Sequence, residues 1–167
     1  MGRDPGERGG YTLEACDLRD HHDELHDAGA ARVFGVSSQA SADALATLPA
    51  VSIALHEFGL SDVPDVPARP VEQLAVLVAD ANRHVDETHY QVAGQGLGAV
   101  LTELHVHPVS GAPEVRRAAL AALAEACIVA AGIARPLGNG ELSTLAAKRA
   151  TEAAELTERP ELAAWPG

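Results

Sequence analysis

Aromatic side chains are nearly missing from this chain: its 167 residues include two tyrosines, two phenylalanines and one tryptophan. Strands draw on aromatic and β-branched residues, whereas alanine, about a fifth of this chain, is the strongest helix former, so closely packed helices are expected. Cysteine is scarcer still. Cys16 and Cys127 stand in unrelated segments, which suggests neither a disulfide framework nor a zinc ligand set and fits a reducing cytoplasm. Lys148 is the single lysine among twelve basic residues. No stretch approaches the roughly 18 uninterrupted apolar residues of a membrane span, and the N-terminus, with Asp4, Glu7 and several glycines, lacks a signal peptide's apolar core. The expectation is a cytoplasmic protein with no membrane partner. Positive charge is also in short supply. The net charge is −12, with acidic residues twice as numerous as basic ones both in residues 1–39 and in the remainder, which disfavours direct contact with nucleic-acid phosphates.

The length allows one domain, or one domain and an appendage. From Ser41 to Leu55 apolar residues recur at helical spacing, with Pro49 expected to start a new turn or kink the old one and Gly59 to end the helix. Residues 61–69 form a proline-punctuated linker. Pro70 suits the first position of a helix carrying Leu74, Leu77, Val78, Ala81 and Val85 and running to about Thr88. Tyr90 leads into a second helix with Ala93, Leu97, Val100, Leu101 and Leu104 on one face, weakened by Gly94, Gly96 and Gly98. A third runs from about Pro113 to Gly132, a fourth from about Gly140 to Leu156, and a last one begins at Pro160. Paired helices with short Gly or Pro connections and a period near 34–40 residues imply tetratricopeptide-like stacking. The expected organisation is a separate segment over 1–40, a helix over 41–60, the linker over 61–69 and a helical array over 70–167, truncated at its C-terminal end.

Two resemblances overlie this pattern. Gly10-Tyr11-Thr12-Leu13-Glu14-Ala15-Cys16-Asp17-Leu18-Arg19-Asp20-His21-His22, continuing through Gly29 to Gln39, resembles the bacterioferritin-comigratory and alkyl-hydroperoxide branch of the peroxiredoxins. That family writes Gly-Cys-Thr-x-Glu-Ala-Cys-x-Leu-Arg-Asp-His, with the peroxide-reducing cysteine first and the resolving cysteine five residues later. The resemblance implies a short helix-strand segment of thioredoxin-like origin. Tyr11 stands in the nucleophile's place and Cys16 in the second position. A phenol with a pKa near about 10 does not replace a thiolate at neutral pH, and Cys16 falls past most of the field of the helix N-terminus. Cys16 therefore reads as a vestigial thiol.

The second resemblance covers about residues 42–167. Pro70-Val71-Glu72-Gln73-Leu74, Tyr90-Gln91-Val92-Ala93-Gly94, Leu101-Thr102-Glu103-Leu104-His105, the run Arg116 to Ala126, and the run Glu141 to Ala150 are similar to the C-terminal region of bacterial XRE-type helix-turn-helix regulators. No helix-turn-helix precedes Ser41, Lys148 replaces the family's usual aspartate, and Cys127 replaces its usual aromatic. The resemblance implies a non-catalytic interaction or regulatory module without its DNA-reading part, acting by self-association, by binding another protein, or by holding a small ligand in a groove between helices. The alternatives left open are a thiol redox protein using Cys16 and a nonfunctional fusion remnant.

Other constellations carry less. His22 and His26 share a helix face with His21 and Asp23 nearby, but Asp-His-His is ordinary peroxiredoxin-like text and reads as a solvated face. His105 and His107 are expected at the surface of a helix end, and His84 and His89, five apart, are expected to diverge around a helix. No metal and no cofactor are expected. Gly94-Gln95-Gly96-Leu97-Gly98 lacks the Lys-Ser/Thr of a phosphate loop and reads as glycines that admit a neighbouring helix closely. Truncation of the array leaves Leu145, Leu156, Leu162 and Trp165 as the expected interaction surface. The fold class expected is mainly α, with tetratricopeptide-like hairpins.

Overall fold

A computed structural model describes residues 38–158, and these are mainly helical, with no strand among them. The chain divides into two units, 1–38 and 39–167, and all but the first described residue belong to the second. Tyr11, Cys16, His21, His22, His26 and the thioredoxin-like expectation lie outside the described residues, as do Leu162, Trp165 and the helix expected from Pro160.

The stretch before the linker forms two helices, α1 (Ser38–Leu45) and α2 (Leu48–Glu57). Pro49 sits in the first turn of α2, where its missing N–H has no intrahelical partner to lose. The proline thus begins a helix. After the linker come α3 (Val71–Asp86), α4 (Tyr90–Gly94), α5 (Leu97–Ser110), α6 (Pro113–Ala134) and α7 (Gly140–Glu158). The single helix expected from Tyr90 is broken in two, because Gly96 takes a left-handed conformation at φ +75°.

Each long helix buries one stripe. In α3 it is Val71, Leu74 and Val78; in α5 it is Leu97, Val100, Leu101, Leu104, His105 and Pro108. Helix α6 packs against α3, α4, α5 and α7 and is the centre of the core. By length and composition α6 could cross a membrane, but past its first residue its exposed positions, Glu114, Arg117, Ala118, Ala121, Glu125 and Ile128, form one stripe while most of the rest is buried against its neighbours. That is the pattern of a core helix. Helix α7 lays Leu142, Ala146, Ala150 and Ala153 on α6 and turns Glu141, Thr144, Lys148, Thr151 and Glu155 to solvent.

Small residues set how closely these helices approach. A Cβ on Gly98 would stand 2.7 Å from the backbone carbonyl carbon and oxygen of Ala50, and one on Gly94 would stand 2.7 Å from Thr47 Cβ. The expected close approach at these glycines is therefore met, by α2 and the turn before it. Because α2 packs on α5 and also touches α7, the linker joins parts of one core. Arg69 anchors the linker's end: its guanidinium donates two hydrogen bonds to the Glu103 carboxylate (2.7 and 2.8 Å), its N–H donates a third (3.0 Å), and its carbonyl accepts one from His107 Nε2 (2.8 Å). These charge-assisted bonds to Arg69 hold the Glu103 carboxyl below its ordinary pKa.

One surface expectation is overturned. His105 is 3% exposed, in the core beside Phe58, and its Nδ1 donates to the Leu101 carbonyl at 2.7 Å. The helix runs to Ser110 instead of ending near His105, so this residue falls on the buried stripe four residues after Leu101. Burial pushes its imidazole below the ordinary histidine pKa, the hydrogen bond to Leu101 opposing.

Candidate functional site

Where α3 passes the corner between α4 and α5, the short helix and the left-handed Gly96 leave a cleft of about 220 Å³. Leu77, Ala81, Val92, Leu97 and Val100 give it an apolar lining, and Arg69, Asp80, His84 and Gln95 are its polar residues. Leu77 and Val92 are 40% and 48% exposed, which for large apolar side chains leaves a hydrophobic surface in contact with water.

Next to His84, α3 ends in an unusual way. Thr88 N–H bonds the Val85 carbonyl (2.9 Å) and His89 N–H bonds the His84 carbonyl (2.8 Å), which is the paired pattern of a Schellman cap. The residue at the left-handed position is Thr88, at φ 62°, the one non-glycine residue with positive φ among those described. A β-branched side chain there costs about 1–2 kcal/mol relative to glycine. The turn folds His89 back over the last turn of α3.

The expected divergence of His84 and His89 is thus corrected. On a continuing helix, five residues would set them about 140° apart. Here the ring centroids lie 5.9 Å apart. Glu87 sits between them, its Oε2 3.6 Å from His84 Nδ1 and 3.3 Å from His89 Nδ1. On the far side of the first ring, His84 Nε2 lies 3.6 Å from Asp80 Oδ2. Arg83 closes the group, paired with Asp80 and, at 3.7 Å, with Glu87. His84 Nδ1 is itself buried and has no hydrogen-bond partner, since 3.6 Å is beyond hydrogen-bonding range. One donor atom from each of His84, Glu87 and His89 lies within 4.8 Å of the others. The cue in the sequence was His-x-x-Glu-x-His at a helix end, and its meaning depended on where the helix stopped.

The remaining described groups with chemical potential are placed elsewhere. Cys127 is buried in the α6 core, and desolvation raises its thiol pKa to about 12, with Arg149 opposing. A thiol in that state is a poor nucleophile. Of the expected interaction residues, Leu145 and Leu156 on α7 are half-buried against the core edge. The structure therefore gives them a packing role, with part of each side chain left accessible. No family model, curated protein or solved structure matches this chain.

Proposed function

We propose that residues 39–158 form a non-catalytic binding module that takes a small ligand in the cleft between α3 and the α4–α5 corner. This is the sensing role implied by the resemblance to the C-terminal region of XRE-type regulators. The observation that supports it is the construction of the cleft: an apolar lining broken by Arg69, Asp80, His84 and Gln95, beside a helix end held in a strained conformation. Buried apolar surface supplies affinity and a few fixed polar atoms supply orientation. At about 220 Å³ the cleft is smaller than the roughly 300–1,000 Å³ of drug-sized sites, so its occupant is of small-metabolite size, with an apolar body and a hydrogen-bonding end.

The test is a fragment screen against the isotopically labelled full chain, read by amide shifts. Binding should perturb Leu77, Ala81, Ala93 and Gly96 together, and Ala99→Trp, a change at an exposed cleft position, should abolish it while leaving the spectrum folded. Shifts scattered over the surface, or hits indifferent to Ala99→Trp, would reject this function.

A further inference from the structure

We infer that His84, Glu87 and His89 form a site for a divalent transition-metal ion of zinc type, bound through the two Nδ1 atoms and the Glu87 carboxylate. The site shares His84 and its neighbour Asp80 with the lining of the cleft, but the inference does not rest on the cleft's taking a ligand. Zinc takes imidazole and carboxylate donors at about 2.0–2.2 Å in tetrahedral array, which sets neighbouring donors roughly 3.3 Å apart. The separations of Glu87 Oε2 from His84 Nδ1 (3.6 Å) and from His89 Nδ1 (3.3 Å) already approach that value. The third edge, between the two imidazoles, spans no more than 4.8 Å, and the exposed side chains of His89 and Glu87 have room to close it.

Two further features favour a metal over a chance cluster. His84 Nδ1 is removed from water without a hydrogen-bond partner, a condition that a bound cation would relieve. Its other nitrogen lies 3.6 Å from Asp80 Oδ2, so a shift of a few tenths of an ångström on metal binding would let Nε2–H donate to that carboxylate, which would hold the tautomer that leaves the Nδ1 lone pair toward Glu87 and His89. Carboxylate, imidazole and metal in that order are a common way of orienting a histidine ligand. Charge is compatible as well. Asp80 and Glu87 carry two negative charges against the one positive charge of Arg83, which keeps its partner Asp80 when Glu87 turns to an ion. Three protein ligands leave a fourth position for water or an external donor.

The experiment titrates Zn²⁺ into the full-length chain against a chromophoric chelator, with circular dichroism confirming the fold of each variant. Wild type should withdraw zinc from the chelator. His84→Ala and His89→Ala should weaken binding on the order of 100-fold, and Asp80→Asn about tenfold through loss of the orienting carboxylate. His89 is 59% exposed, so its replacement leaves the core intact. The double change His22→Ala with His26→Ala, remote in sequence, should leave this affinity unaltered. Failure of wild type to compete for zinc, undiminished affinity in His89→Ala, or affinity that vanishes only with the His22 and His26 changes would overturn the assignment. Fragment binding in the cleft is measured without zinc, so the two proposals stand or fall separately.

Discussion

Replacing Gly98 by alanine should destabilise the protein although alanine is the better helix former. The change returns at most about 1 kcal/mol of helix propensity, and less near a helix start. Against this, the new methyl carbon would stand 2.7 Å from the carbonyl carbon and oxygen of Ala50 and 2.8 Å from its Cβ, where ordinary contact begins at 3.4 Å. Backbone atoms have no rotamer to escape into, so α2 and α5 must part by about 0.7 Å, and a gap of that size forfeits a quarter to a half of each affected dispersion contact. Overpacking of this kind costs about 1–3 kcal/mol, and with backbone as the obstacle the upper end applies. The net loss is about 2 kcal/mol, or a fall of roughly 8 °C in melting temperature for a unit of this size. Differential scanning calorimetry of three variants isolates the cause. Gly140→Ala, where a Cβ meets nothing within 4 Å, should be neutral or more stable by about 0.5 kcal/mol. Ala50→Gly combined with Gly98→Ala should recover little, since the carbonyl remains. A Gly98→Ala protein melting at or above the wild-type temperature would refute the close approach of α2 and α5.

Two further outcomes concern pH. The Cys127 thiol, raised by burial from 9.0 to about 12, keeps its proton in the folded state while the unfolded thiol loses it, so wild type should lose stability relative to Cys127→Ala as pH rises from about 9 towards 12. Parallel urea melts of the two proteins across that range check this, and a constant difference would contradict it. His105 has the opposite sense: its lowered pKa means that the unfolded chain binds the proton first, so stability should fall as pH drops below about 6.5. In His105→Leu that part of the slope should disappear, and its persistence would place the titration elsewhere.

How much of this was legible in the residues varies from element to element. The helices expected from Pro70, Pro113 and Gly140 occur as Val71–Asp86, Pro113–Ala134 and Gly140–Glu158, because apolar spacing and the Gly or Pro punctuation are local properties that do not depend on a partner. His105 departs from its expected place at the surface because α5 runs on to Ser110, and on that longer helix the residue falls on the buried stripe. The convergence of His84 and His89 required a left-handed threonine, a conformation that sequence preference assigns to glycine or asparagine.

The amino-acid sequence by itself determined that residues 38–158 are mainly helical, that acidic residues outnumber basic ones among them, and that glycines bring one helix close to another. Periodicity, charge and the lack of a side chain at glycine act residue by residue, without reference to the rest of the fold. Tertiary structure alone decided that Gly94 and Gly98 receive Thr47 and Ala50, that α6 sits at the centre, that a cleft opens at the α4–α5 corner, and that two histidines and a glutamate meet at the end of α3. Those outcomes depend on which buried faces pair and on the strain the packed chain can hold at Thr88, and both are properties of the assembled core.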